Sequence, residues 1–94
     1  MKPIWTRRAR SDLRAQCDYI AQDSSTAAFD VEARVIDAAG RLESHPESGR
    51  PGRVEGTREL PVRRTSLLVI YVIDPDAVRI MHIRHMARRP KDKL

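Results

Sequence analysis

Residues 67–73, LLVIYVI, form the longest apolar run in the chain, and Asp74-Pro75-Asp76 ends it. Four of the seven residues are β-branched, which favours an extended strand over a helix. Aspartate and proline together are typical of a tight turn. A run of this length between turn signals is typical of a strand buried on both faces. We therefore predict that Leu67–Ile73 is the central strand of a sheet.

The segment after the turn, Val78–His85, is predicted to be the antiparallel hairpin partner of this strand. Strict alternation places its side chains in two sets, with Val78, Ile80, His82 and Arg84 on one face and Arg79, Met81, Ile83 and His85 on the other. Both faces of the sheet then carry apolar groups. Two adjacent helices cover only one face of a small sheet, so we expect a partner polypeptide to cover the second.

A short strand and a loop precede the central strand. Thr57–Val62 alternates in polarity and is predicted to be a strand. His45–Gly56 contains two prolines and three glycines, which no helix or central strand tolerates, and is predicted to be a loop. Its segment Gly49-Arg50-Pro51-Gly52-Arg53 could hold a phosphate through backbone amides. Because it lacks the lysine and the length of a P-loop, a structural connection is the preferred interpretation.

Two helical patterns lie upstream of the loop. Apolar residues at helical spacing predict helix one over Arg7–Gln22 and helix two over Thr26–Glu43. Ile4-Trp5-Thr6 favours a short strand ahead of both. The predicted fold class is therefore α+β, with an N-terminal short strand and a two-helix hairpin packed on a small antiparallel β-sheet. The whole chain, residues 1–94, is expected to be one domain.

Basic side chains are concentrated in the second half of the chain. The 94 residues include 18 basic and 13 acidic side chains, and 15 of the basic ones are arginine. Residues 1–49 hold 7 basic and 8 acidic side chains, whereas residues 50–94 hold 11 and 5. Arginine presents a planar fork to carboxylates and phosphates, so we expect the C-terminal half to contact an anionic partner.

Composition also excludes several classes of protein. Cys17 is the only cysteine, which rules out an internal disulfide framework or a multi-cysteine zinc site. No apolar run reaches the roughly 18 residues of a membrane span, and the N-terminus lacks the apolar core of a signal peptide. We expect a cytoplasmic protein without membrane contact, metal or cofactor.

Side chains that could cleave RNA are nevertheless present. Candidates for proton transfer or phosphate stabilisation are Glu59, Tyr71, His82, His85, Arg58, Arg84 and Arg88. His85 is the better placed histidine because it lies at a strand end beside Arg84. A histidine in that position is more often a hydrogen-bonded structural group, and spacing alone identifies no acid–base pair.

The order of elements and several short motifs resemble the RelE/ParE family of toxins from bacterial type II toxin–antitoxin modules. The resemblance covers roughly residues 4–88. Its most specific part is the segment from Gly49 through Leu60, with Gly49-Arg50-Pro51-Gly52-Arg53-Val54 and Gly56-Thr57-Arg58-Glu59-Leu60. It continues with Tyr71 and with His85-Met86-Ala87-Arg88.

The resemblance is closer to the ParE branch. Members of that branch are understood to inhibit DNA gyrase without being nucleases, whereas RelE-like members are ribosome-dependent mRNA endonucleases. A RelE-like enzyme is expected to carry a tyrosine near its C-terminal strand, and none follows His85 here. The implied function is a gyrase-inhibiting toxin, and the alternative is an endonuclease using Arg58, Glu59 and His85.

The resemblance also implies partners and binding residues. We expect Arg84, His85, Arg88 and Arg89 to contact DNA gyrase or a gyrase–DNA complex. A ParD-like antitoxin is expected to form a hetero-oligomer with the chain and neutralise it. Its acidic side chains are expected to pair with Arg58, Arg63, Arg64 and Arg84.

Overall fold

The computed structural model describes residues 1–87. Its elements are β1 (Lys2–Trp5), α1 (Arg7–Ala21), α2 (Ser25–Arg41), β2 (Arg50–Pro51), β3 (Arg58–Pro61), β4 (Leu67–Ile73) and β5 (Ala77–His85). The strands form one sheet in the order β1-β5-β4-β3-β2. The predicted α+β class and the central position of β4 are confirmed.

The sheet differs from the prediction at both edges. β1 pairs parallel with β5, so the sheet is mixed rather than antiparallel. The helical hairpin supplies the crossover connection that a parallel pair requires. At the other edge, the predicted loop contains the two-residue strand β2, which pairs with β3. Pro51 is tolerated there because an edge strand needs fewer backbone donors.

Each helix begins at a hydroxyl cap. The Ser24 hydroxyl accepts a hydrogen bond from Ala27 N at 3.1 Å. The Thr6 hydroxyl accepts one from Ala9 N at 3.1 Å and donates to Ile80 O at 2.8 Å. Thr6 therefore starts α1 and also ties it to β5, whereas the Ser24 cap is local.

The core lies between the helices and one face of the sheet. It comprises the buried side chains of Ala9, Leu13, Val35, Ala39, Leu42, Val62, Leu67, Val69, Tyr71, Val78, Ile80 and Ile83. Both helices contribute to it from the apolar stripes that the sequence shows. Trp5 and Cys17 pack against its margin.

A β-bulge changes the faces of β5. Tyr71 lies opposite Ile80, whereas Ile70 lies opposite His82, so Met81 is an extra residue in the ladder. The bulge returns Ile83 to the face that Val78 and Ile80 occupy. The strict alternation predicted for β5 was therefore wrong beyond Ile80.

The second face of the sheet is closed at its centre within the chain. Leu68 and Ile70 point away from the helices and are only 3% and 1% exposed. An ion pair between Arg84 on β5 and Glu59 on β3 spans the intervening β4 and passes over this face. The centre of this face is therefore buried within the chain itself, and the expectation that a partner polypeptide lies over the face stays a prediction.

Candidate functional site

A buried carboxylate organises the arginines on the outer face of the sheet. Glu59 is 5% exposed, and its Oε2 atom accepts hydrogen bonds from Arg84 Nη2 at 3.4 Å and from Arg53 N at 3.2 Å. Arg50 Nη2 lies 3.6 Å from Glu59 Oε1. We call Glu59, Arg50 and Arg84 the Glu59 cluster. Two guanidinium groups share one carboxylate, so the cluster keeps a net positive charge.

The two arginines of the Glu59 cluster have different environments. The side chain of Arg84 is 15% exposed, and that of Arg50 is 62% exposed. The Nε atom of Arg84 is buried and has no hydrogen-bond partner among residues 1–87. Arg84 is therefore fixed by its surroundings, whereas Arg50 can reorient in solvent.

Arg58 points to the other face of β3 and holds the preceding loop. Its guanidinium donates to Gly49 O at 2.7 Å and to Glu47 O at 3.4 Å. The buried Tyr71 hydroxyl donates to Pro46 O at 2.7 Å and accepts from Gly49 N at 2.8 Å. Arg58 and Tyr71 together fix the start of the glycine-arginine segment.

The backbone amides of this segment are used inside the chain. Gly49 N donates to the Tyr71 hydroxyl, Gly52 N to Thr57 O at 2.8 Å, and Arg53 N to Glu59. Three amides that could have faced a phosphate therefore already have partners. This geometry supports the structural interpretation of the loop.

The three residues of the nuclease alternative do not converge. Arg58 and Glu59 are neighbours in a strand, so their side chains lie on opposite faces. His85 lies at the end of β5, where its Nδ1 atom accepts from Ala87 N at 3.1 Å. Within residues 1–87, no hydrogen bond or ion pair joins any two of these three side chains.

His82 contacts α1 rather than the Glu59 cluster. Its Nδ1 atom lies 3.5 Å from Asp12 Oδ2, which also accepts from Ile83 N at 3.1 Å. Asp12 thereby accepts a hydrogen bond from a β5 amide that lies beyond the end of β1 and therefore has no strand partner on that side. The pair joins a helix to the free edge of the bulged strand, which is a structural role.

The remaining predicted arginines are exposed or lie outside the described residues. Arg63 and Arg64 are exposed in the turn between β3 and β4, and Arg64 has a φ of 63°. Arg88 and Arg89 lie outside the described residues, so their predicted contact with the target stays a prediction.

Two surface depressions were not predicted from the sequence. The first, the α2–β3 cleft, has a volume of about 290 Å³ and an apolar floor that includes Ala38 and Leu60. Arg34, Arg41 and Arg63 lie at its rim. In the sequence, Arg34 and Arg41 look like solvated helix positions, and only the packing of α2 beside β3 brings them next to Arg63.

The second, the hairpin groove, runs along α1 and α2. It consists of two neighbouring depressions that share Arg14 and Glu32: Cys17 and Phe29 line one, and Trp5, Leu13 and Ile36 line the other. Phe29 and Ile36 are 72% and 52% exposed, one heptad apart on α2. Burial, with a smaller contribution from the negative charge of Glu32, raises the pKa of the Cys17 thiol above its ordinary value.

Two kinds of feature are absent from the described residues. No helix within residues 1–87 is long and apolar enough to cross a membrane. In the same part of the chain, no three histidine, cysteine or acidic side chains are grouped in a way that could hold a metal ion.

Comparison with known proteins identifies the family. The model of the family described as "ParE toxin of type II toxin-antitoxin system, parDE" matches residues 4–90. Toxin RelE2 of Caulobacter vibrioides is 42% identical over 85 residues, which are 90% of this chain and 94% of the relative. Y4kP of Sinorhizobium fredii is 40% identical over 81 residues, 86% of this chain and 83% of the relative.

A solved structure agrees with these matches. A chain of the chromosomal ParDE TA system from P. aeruginosa superposes with a TM-score of 0.81 at 25% identity, over 90% of this chain and 95% of that one. Since the family match and the similar folds extend over nearly the whole sequence, this chain belongs to the ParE toxin family and is the toxin component of a type II toxin–antitoxin system.

Proposed function

We propose that this toxin inhibits DNA gyrase by binding and is not a nuclease. The observation that carries this proposal is the separation of Arg58, Glu59 and His85. General acid–base catalysis needs its proton carriers within about 3 Å of the groups they serve, or one water away. Here Arg58 is bonded to loop carbonyls, Glu59 is buried beneath Arg84, and His85 lies at a strand end.

The target contact is proposed for the C-terminal end of β5. Arg84 and His85 lie there, and Arg88 and Arg89 follow in the sequence. Arg84 belongs to the Glu59 cluster, whose excess positive charge suits an acidic surface or a nucleic-acid backbone. This placement supports a role for the basic C-terminal half in holding gyrase or its complex with DNA.

The antitoxin partner is expected to be ParD-like and to use the α2–β3 cleft. Arg34 and Arg41 are paired with Asp30 and Asp37, whereas Arg63 has no ion pair within residues 1–87. A segment with apolar residues for the floor and carboxylates for Arg63 fits this cleft.

Of the four arginines predicted to pair with the antitoxin, Arg63 and Arg64 remain the stronger candidates. Both are exposed in the turn between β3 and β4. Arg58 is bonded to loop carbonyls, and Arg84 is assigned to the target contact.

The alternative, a ribosome-dependent endonuclease, is kept for one reason. The relative at 42% identity carries the name RelE2, so the names of similar proteins divide between the two branches. Glu59 and Arg84 are also residue types that phosphate-transfer chemistry uses.

Induction of the toxin in bacterial cells separates these functions. We expect the supercoiling of a reporter plasmid to fall while the 5′ ends of abundant transcripts stay at their normal positions. Cells that also express the antitoxin are the control and should show neither change. New transcript ends inside codons, with supercoiling unchanged, would contradict the proposal and favour the endonuclease.

A further inference from the structure

We propose that Glu59 is a positioning residue, which holds the Arg84 guanidinium in the orientation needed to contact the target. The inference deepens the proposed function and depends on Arg84 being a target contact. It assigns no chemistry to Glu59 itself. The carboxylate acts only through the arginine it orients.

The pair of Glu59 and Arg84 is largely buried. A buried carboxylate is costly unless cations and donors surround it. Glu59 meets this requirement with Arg84, Arg50 and the Arg53 amide, at 3.2 to 3.6 Å. Of the two arginines, only Arg84 is itself largely buried, so the position of its guanidinium is determined by Glu59.

A charged pair is not needed merely to cover the sheet. Leu68 and Ile70 could be shielded equally well by apolar side chains, and replacing buried ion pairs with such residues is often neutral or stabilising. Arg84 also leaves its Nε atom without a partner among residues 1–87, which a purely structural cover would avoid. The charged pair additionally fixes the orientation of the Arg84 guanidinium.

Arg84 starts on β5 and reaches Glu59 on β3, so its long side chain lies extended across β4. A free arginine would sample many rotamers and would lose that freedom on binding. With Glu59 in place, this loss of entropy occurs during folding, and the guanidinium is pre-organised for the target.

A double-mutant cycle tests this inference, with the variants Glu59→Gln, Arg84→Gln and their combination. The matched control is Asp74→Asn, which removes the carboxylate paired with Arg79 at the other end of the sheet. For each variant we would measure the concentration for half-inhibition of supercoiling, the antitoxin affinity and the midpoint of urea unfolding. Growth arrest after induction is scored in parallel.

We expect Glu59→Gln to weaken inhibition and growth arrest at least ten-fold while antitoxin affinity changes less than two-fold, and Asp74→Asn to resemble the wild type. In the Arg84→Gln background, Glu59→Gln should have no further effect. An equal loss in both backgrounds, or a Glu59→Gln variant as active as the Asp74→Asn control, would overturn the inference. If Glu59 were purely structural, Glu59→Gln would lower the midpoint of urea unfolding, inhibition, growth arrest and antitoxin affinity together.

Arg84→Lys covers the case in which Glu59→Gln does not fold. Lysine keeps the charge but lacks the planar fork. Inhibition as weak as that of Arg84→Gln supports positioning, and full inhibition contradicts it. If the wild type leaves gyrase unaffected, the proposed function fails, but the cycle is still scored on growth arrest and the inference on Glu59 is judged separately.

Discussion

Tyr71 is a residue whose hydroxyl connects the core to the functional loop. Its ring is fully buried, while its hydroxyl bonds both Pro46 O and Gly49 N. A Cβ atom at Gly49 would lie 2.6 Å from that hydroxyl oxygen and 3.0 Å from Glu59 O. Position 49 therefore needs glycine because two neighbours approach too closely for a side chain.

Substitution of two glycines should change stability in opposite directions. Gly49→Ala should destabilise the fold by about 1 to 3 kcal/mol, because the added methyl group would overpack the core there. Gly40→Ala is the matched control, since Gly40 is exposed in α2 and nothing lies within 4 Å of an added Cβ. It should stabilise by about 0.5 to 1 kcal/mol through higher helix propensity. Urea unfolding monitored by circular dichroism measures both, and a stabilised Gly49→Ala variant would contradict the packing described.

Cys17 should react slowly with alkylating reagents in the folded chain. Burial raises the pKa of its thiol, so less thiolate is present at pH 8 than in the unfolded chain. We expect iodoacetamide to modify the native protein more slowly than the same protein in urea. Because the folded pKa exceeds the unfolded one, stability should also fall as the pH rises through that interval. Equal alkylation rates would show that the thiol is not shielded.

At the scale of elements, β5 connects two strands of the sheet to helix α1. It pairs with β1 and β4, bulges at Met81, and receives Asp12 from α1 at its free edge. The bulge rotates the last part of the strand, so Ile83 enters the core and Arg84 lies on the outer face. The position of the candidate target contact therefore depends on one extra residue in the ladder.

Asp12→Ala should destabilise the chain by about 1.5 to 3 kcal/mol, because the Ile83 amide loses a charged acceptor. Amide hydrogen exchange at Ile83 should accelerate more than at Val69 in the central strand. Arg8→Ala is the matched control, since the exposed Arg8 pairs with Asp12 Oδ1, the oxygen that does not accept from Ile83. Its effect should stay within about 0.5 kcal/mol, as for other surface ion pairs. If amide exchange at Ile83 were unchanged in Asp12→Ala, the hydrogen bond from Ile83 N to Asp12 would not protect the free edge of β5.

Local patterns in the sequence predicted most elements well. Leu67–Ile73 matches the predicted strand at both ends, and α1 ends one residue before its predicted limit. These elements depend on periodicity and turn residues that act over short distances. The end of α2 at Arg41, two residues early, follows the exposed Gly40 that weakens its last turn.

Features set by contacts between distant residues could not be predicted. The bulge at Met81 reflects how β5 pairs with β4, and no local composition marks it. The bond between Glu59 and Arg84 joins residues 25 positions apart, and Arg34 meets Arg63 at one cleft only after packing. Glu59, Arg63 and Arg84 are candidates from the sequence alone, but their neighbours in the fold could not be predicted from it.

At the scale of the whole molecule, the two proposed interfaces are both basic and lie on different parts of the surface. The Glu59 cluster lies on the outer face of the sheet, while Arg63 and the α2–β3 cleft lie at its edge beside α2. A chain with net charge +5 attracts acidic partners from any direction. Specificity must therefore come from these fixed arrangements rather than from net charge.

The complex with the antitoxin should weaken steeply as salt is added. Screening lengths shorten from about 10 Å at 0.1 M salt to about 3 Å at 1 M, which weakens exposed charge contacts. Arg63→Gln should lower affinity and flatten the salt dependence, whereas Arg79→Gln, at the opposite end of the sheet, should do neither. Titration calorimetry at several salt concentrations gives these values. An affinity independent of salt would contradict an electrostatic antitoxin interface.

The most direct measurement of the central claim uses purified toxin in two parallel reactions, one with gyrase and relaxed plasmid and one with ribosomes and mRNA. The account predicts that the toxin lowers the rate of supercoiling, that the antitoxin restores it, and that the mRNA in the ribosome reaction stays intact. Undiminished supercoiling at a large excess of toxin, together with cleavage of mRNA on added ribosomes, would contradict it.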